Sequence, residues 1–82
     1  MHQIEIRLRE IVAHVTGLGL DISSDSDLYL DLGVPSVHAL QLLSELELQF
    51  GVAIPDEEFV QASSIRDLTM LMTRLVQPKE NA

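Results

Sequence analysis

Apolar residues recur along the start of the chain at spacings of three and four: Ile4, Leu8, Ile11, Val12 and Val15. That period puts them on one stripe and predicts a helix over 3–16. Ile6 falls off the stripe, as a second contact or a surface residue. Gly17 and Gly19 break the helix, and Leu18, Leu20 and Ile22 are expected to tuck the crossing onto the core. The segment from Asp21 to Gly33, DISSDSDLYLDLG, is a long connection, polar at first. A structureless connection of this length is unusual in a compact fold, so it should be packed and partly helical. Ser26 or Asp25 is a candidate cap for a short turn through Leu28 to Leu30, and Leu28, Leu30 and Leu32 are candidate anchors.

Gly33-Val34-Pro35 stops and restarts the chain. Val34 precedes proline and should be extended. Pro35 suits the first helical position, where a missing N–H costs nothing. A helix is predicted from Pro35 or Ser36 to Phe50, roughly 22 Å long, with Gly51 as its C-terminal cap. On a helical wheel Ala39, Leu42, Leu43, Leu46 and Phe50 cluster within about 100° and face the core. Val37, Gln41, Ser44 and Leu48 fall together on the far side, with Glu45 beside them. Two apolar residues framed by polar ones suggest a partner contact, although single exposed apolar residues are also ordinary surface. Pro55-Asp56-Glu57-Glu58 then signals the start of a short helix, because carboxylates favour the positive helix end. Ser64-Ile65-Arg66-Asp67 resembles a capping box with Asp in place of Glu. The last helix, striped by Ile65, Leu68, Leu71, Met72 and Leu75, should run to about Val76, with Pro78 ending it.

These elements predict an all-α fold: a small bundle of three main helices plus a short one, with a long loop between the first and second. The chain has 82 residues, 46% of them apolar. That fills one core, so residues 1–77 are read as a single domain and 78–82 as a disordered polar tail. There is no cysteine, so neither a disulfide nor a thiolate metal site can staple the core. No apolar run reaches membrane-span length, and the first ten residues lack a secretory signal's apolar region. A cytoplasmic location and a monomeric state are the expectations.

Charge changes the picture more than composition does. The net charge is −8. Residues 21–60 carry nine acids (Asp21, Asp25, Asp27, Asp31, Glu45, Glu47, Asp56, Glu57 and Glu58) and no Lys or Arg. Such a field repels the phosphates of nucleic acid and steers basic partner surfaces toward the domain. It also serves plain solubility.

Candidate chemistry is sparse. His2, His14 and His38 lie far apart, with no metal-ligand spacing. His38 is two residues from Ser36, and side chains at that spacing do not face each other on a helix. No G-x-S-x-G elbow and no glycine-rich phosphate loop is present. The chain is therefore read as not being an enzyme. What remains is Ser36, in the run DLGVPS before an apolar-periodic helix. Its hydroxyl should lie near free backbone N–H groups, which would favour a phosphate esterified there. By physics alone, it is equally a helix-start residue.

The sequence resembles the acyl carrier proteins and related thiolation domains. The resemblance is carried by Asp31-Leu32-Gly33-Val34-Pro35-Ser36-Val37, by Leu42, Leu46-Glu47 and Phe50, by Ile54-Pro55-Asp56-Glu57-Glu58, and by Ile65-Arg66-Asp67-Leu68. It spans residues 3 to 76. No single piece is decisive, but the ordered set in a short acidic helical chain is specific. It implies that Ser36 carries 4′-phosphopantetheine, added from coenzyme A by a phosphopantetheinyl transferase. It further implies that the arm's thiol holds an acyl or aminoacyl group as a thioester. Partners would then be a loading ligase or transferase and condensing or modifying enzymes, in fatty acid, polyketide or related biosynthesis. Partner recognition would fall on Asp31, Val37, Gln41, Ser44, Glu45, Leu48, Asp56 and Glu57. Relatives commonly have Asp-Ser-Leu where this chain has Pro35-Ser36-Val37, and acids where it has His38 and Gln41. These departures suggest a specialised carrier rather than a primary fatty acid carrier. The alternative is an interaction module that kept the fold and lost the attachment.

Overall fold

The computed structural model describes residues 2–76. Four helices follow one another: α1 (His2–Thr16), α2 (Val37–Phe50), α3 (Asp56–Gln61) and α4 (Ile65–Val76). The architecture is all-α, as predicted, with the long connection between α1 and α2 and no strand among the described residues. The tail expected over 78–82, and Pro78 as the stop of the last helix, lie outside those residues.

Each stripe buries its middle. Leu8 and Val12 of α1, Leu42 and Leu46 of α2, and Ile65, Leu68 and Met72 of α4 are shut off from solvent. A side chain of this kind stabilises the fold by about 1.5–3 kcal/mol when fully buried. α1 packs on both α2 and α4, and α3 packs on α4. Phe59, the one buried residue of α3, joins the same core cluster. Ala39, Leu43, Phe50 and Leu75 lie at its margin, half-buried. Ile6 is at the surface.

The predicted boundaries shift by small, explicable amounts. α2 begins at Val37 rather than at Pro35 or Ser36. The His38 N–H reaches back to the Pro35 carbonyl at 3.0 Å and the Ala39 N–H to the Ser36 carbonyl at 2.9 Å. These are i+3 bonds, a tighter turn that precedes the α-helix proper. Pro55 likewise sits just before α3, with extended backbone (ψ 132°). Gly51 ends α2 as predicted: at φ 68° it adopts the left-handed conformation. Its N–H and that of Val52 both reach the Glu47 carbonyl, at 2.9 and 3.3 Å, so an orphan carbonyl is satisfied twice. Ser64 caps α4 through its hydroxyl, which accepts the Asp67 N–H at 3.1 Å.

The 21–33 connection is packed and turned, but its cap and its anchors differ from expectation. The capping residue is Asp27, not Asp25 or Ser26. One Asp27 oxygen accepts the N–H groups of Tyr29 and Leu30, both at 2.8 Å. The other accepts the Ser63 hydroxyl at 2.8 Å. Asp25 instead reaches Arg66 on α4. The tight turn that Asp27 makes sends consecutive side chains in different directions. Leu28 is fully buried, whereas Leu30 is 86% exposed and anchors nothing. Leu20 is also exposed, while Leu18, Ile22 and Leu32 pack against the core. Arg9 of α1 holds the early part of the loop, donating to the carbonyls of Leu20 (2.9 Å) and Ile22 (2.7 Å) and to the Ser24 hydroxyl (2.7 Å).

The Asp27 bonds make a prediction. The N–H of Leu30 first, then the Ser63 hydroxyl and the Tyr29 N–H, hold its pKa below the ordinary 3.8. Below that value the unfolded chain takes a proton that the folded chain resists. The contribution is thus complete above about pH 4 and is lost as pH falls through the folded-state pKa. Asp27→Asn should lower the melting temperature at about pH 7, and the gap to the wild type should narrow at about pH 3. Thermal melts at both pH values check this; a gap that is constant with pH would refute it.

Candidate functional site

Ser36 owes its place to the loop. Gly33 takes a left-handed conformation (φ 74°). The Val34 N–H then bonds the Leu28 carbonyl at 2.9 Å, and the Val34 side chain is buried. The chain leaves this clasp through Pro35, whose ring fixes φ, and reaches Ser36 as the residue before α2.

A capping serine ordinarily has extended backbone, which brings its oxygen over the free N–H groups of the first turn. Ser36 is already helical (φ −62°, ψ −21°), and its side chain makes no capping bond. The residue is exposed, and its hydroxyl has no protein partner among the described residues. The first turn satisfies its own His38 and Ala39 N–H groups. The N–H groups of Ser36 and Val37 bond to nothing among the described residues. His38 supplies no base: its Nδ1 is shielded and unpartnered, so no Ser–His pair forms. Among the described residues no three His, Asp or Glu side chains converge as metal ligands.

Beside Ser36 lies a cleft of about 220 Å³, lined by Tyr29, Ser36, Ala39, Phe59 and Val60. It joins the capped turn of the loop, the start of α2, and α3. Larger space, about 360 Å³, lies along α3 and α4 between Glu58, Asp67, Met70 and Arg74. Ser36 has no part in it, and the Glu58–Arg74 ion pair spans it. The smaller cleft is the one next to the candidate chemistry. Burial, with a smaller push from Asp27, raises the pKa of Tyr29.

The predicted recognition residues fall into three places. Val37, Gln41, Ser44 and Leu48 share the free face of α2. Val37 is 71% exposed and Leu48 74%, while Glu45 at the edge is half-buried. Asp31 is in the loop, exposed, with one oxygen committed to the Asp27 N–H at 2.8 Å. Asp56 and Glu57 are exposed in the first turn of α3, off the α2 face. Sequence reasoning missed Leu40, which is 73% exposed. It lies three residues from Val37 and four from Ser44, the spacing that makes helix neighbours. Counting every apolar residue outside the core arc would have found it. Tyr29 and Val60 were also missed, because nothing local brings 29, 36 and 60 together.

The phosphopantetheine attachment site family matches residues 7–71. An acyl carrier protein of Rickettsia bellii is 35% identical over 66 residues, 79% of this chain and 77% of that protein. Acyl carrier protein 2 of Pseudomonas aeruginosa is 37% identical over 67 residues, 80% of this chain and 85% of that protein. The chain belongs to the phosphopantetheine attachment site family, among the acyl carrier proteins. It is a non-catalytic carrier of acyl thioesters, and phosphopantetheine is its prosthetic group. An exposed serine with an unused hydroxyl at the mouth of a cleft fits such a group.

Because the Ser36 hydroxyl caps nothing, its removal should cost little. Ser36→Ala should lower stability by much less than the roughly 1 kcal/mol lost when a bonded N-cap serine is replaced. Urea denaturation of the two proteins measures the difference; a loss of about 1 kcal/mol or more would show that the hydroxyl holds the fold.

Proposed function

We propose that Ser36 is the residue that carries the 4′-phosphopantetheine arm. The observation that carries the reading is a helix-start serine whose hydroxyl is exposed and makes no capping bond. The transfer from coenzyme A forms a bond between the Ser36 oxygen and phosphorus and breaks the anhydride P–O bond, releasing adenosine 3′,5′-bisphosphate. The serine proton goes to a base on the phosphopantetheinyl transferase, since His38 is not disposed to take it. The carrier unit is residues 1–77. Its further partners are a loading ligase or transferase that forms the thioester, and condensing or modifying enzymes that use it.

These partners dock on the α2 face, with Asp31, Asp56 and Glu57 around it. The first turn of α2 carries no acid, and Val37, Leu40 and Leu48 stand out from it. This supports a specialised carrier whose partners read apolar surface near the arm. The acids at the rim contribute attraction at longer range.

Incubation with coenzyme A and a promiscuous transferase should add one phosphopantetheine to the wild type and none to Ser36→Ala, read by intact-protein mass. A wild type left unmodified by several transferases, the cognate one included, would return the chain to the reading of an interaction module without an arm. For the docking face, Leu48→Glu should weaken the use of the loaded carrier by its cognate enzyme while helical content stays unchanged. Unaltered turnover by that enzyme would move the docking face elsewhere.

A further inference from the structure

Resting on Ser36 as the attachment residue, we propose that Ser63, in the connection between α3 and α4, is a positioning residue for loading. Through Asp27 it keeps the Ser36 hydroxyl out of a helix cap and free for the transferase.

A serine just before a helix has a competing use for its hydroxyl. With extended backbone its oxygen swings over the first turn and accepts one of the free N–H groups there. An oxygen held in that way is poorly placed to attack phosphorus. Ser36 has helical backbone instead (φ −62°, ψ −21°) and makes no capping bond. The donors that a cap would take are those of His38 and Ala39. In the turn as it stands they go to the carbonyls of Pro35 (3.0 Å) and Ser36 (2.9 Å). The two arrangements compete for the same N–H groups. Pro35 does not decide between them, since its ring fixes its own φ and leaves Ser36 to turn.

The direction from which the chain enters this turn does decide, and it is set in bonded steps from a distant part of the fold. The Ser63 hydroxyl donates to one Asp27 oxygen at 2.8 Å. The Ser63 carbonyl accepts the Leu28 N–H, also at 2.8 Å. The Leu28 carbonyl then accepts the Val34 N–H at 2.9 Å, and both Leu28 and Val34 are buried. Pro35 and Ser36 follow directly. The other Asp27 oxygen is spent inside its own turn, on Tyr29 and Leu30. Among the described residues, the Ser63 hydroxyl is thus the one group outside the loop that this carboxylate holds.

Ser63→Ala removes that bond and keeps the carbonyl. Ser36 is then returned to the ordinary preference of a helix-start serine, which favours the capped form. Only the uncapped fraction is ready for transfer, so the apparent affinity for the transferase falls by that fraction.

The test follows loading of the full-length apo chain from coenzyme A by its cognate transferase, read by intact-protein mass at varied carrier concentration. Ser63→Ala should raise the KM for the carrier about fivefold, the usual strength of a cap expressed as a population ratio, and leave kcat unchanged. The Cα and carbonyl carbon shifts of Ser36 in the labelled protein should move from helical toward extended values. Ser63→Thr, which keeps the hydroxyl, should restore both. Ser63→Cys, a weaker donor, should show a smaller change of the same sign, and it serves if the alanine variant folds poorly. Wild-type KM in the alanine and cysteine variants overturns the proposal. So does a raised KM with Ser36 shifts still helical, which would make Ser63 a stabilising contact only. A wild type that the cognate transferase leaves unmodified removes the attachment reading instead, and this proposal with it.

Discussion

The geometry of the site rests on one carboxylate. Asp27 closes its own turn by accepting the N–H groups of Tyr29 and Leu30, and it accepts the Ser63 hydroxyl from the connection between α3 and α4. The Leu28 N–H crosses the same gap to the Ser63 carbonyl at 2.8 Å. A bond from Val34 back to Leu28 then passes this order to the residues before Ser36. The long loop therefore behaves as part of the scaffold. It fixes where Ser36 sits relative to Phe59 and Val60, and hence the cleft between them. Arg9, with three loop acceptors, holds the other half of the connection from α1.

A carrier differs from a serine enzyme in what it leaves undone around its serine. A nucleophile requires a base within hydrogen-bond reach and a third group to orient that base. Among the described residues Ser36 has neither, and its hydroxyl is not spent on the fold either. The loop and α2 bring it to the surface and leave its hydroxyl exposed. The interior is correspondingly conventional: leucine, isoleucine, valine and methionine stripes from three helices, with Phe59 from the fourth.

The acidic field looks different once its members are located. Asp27, Asp31 and Glu47 hold backbone N–H groups, the last through Ile54 at 2.8 Å. Asp25 and Glu58 pair with Arg66 and Arg74 of α4; such exposed pairs contribute little to stability, but they do offset local charge. Much of the negative charge is thus engaged inside the domain. Asp56 and Glu57 remain on the open surface, while the free face of α2 is largely uncharged, with Val37, Leu40 and Leu48 exposed. Total charge therefore says little about the free face of α2.

Local physics determined the helices, their stripes and most of their ends, because period, proline, glycine and capping residues act within a few positions. Gly51 and Ser64 were legible for that reason. Ser36 became a candidate through its position before an apolar-periodic helix and through the family resemblance. The loop was less legible: Leu28, Leu30 and Leu32 read alike in sequence, and only the turn closed by Asp27 sends the first inward and the second into solvent. The free hydroxyl of Ser36 depended on whether its backbone was extended or helical, a choice made by the Leu28–Val34 clasp. The cleft was beyond sequence reasoning altogether. Its wall comes from a loop, α2 and α3, and residues 29, 36 and 60 become neighbours only when long-range packing brings those elements together.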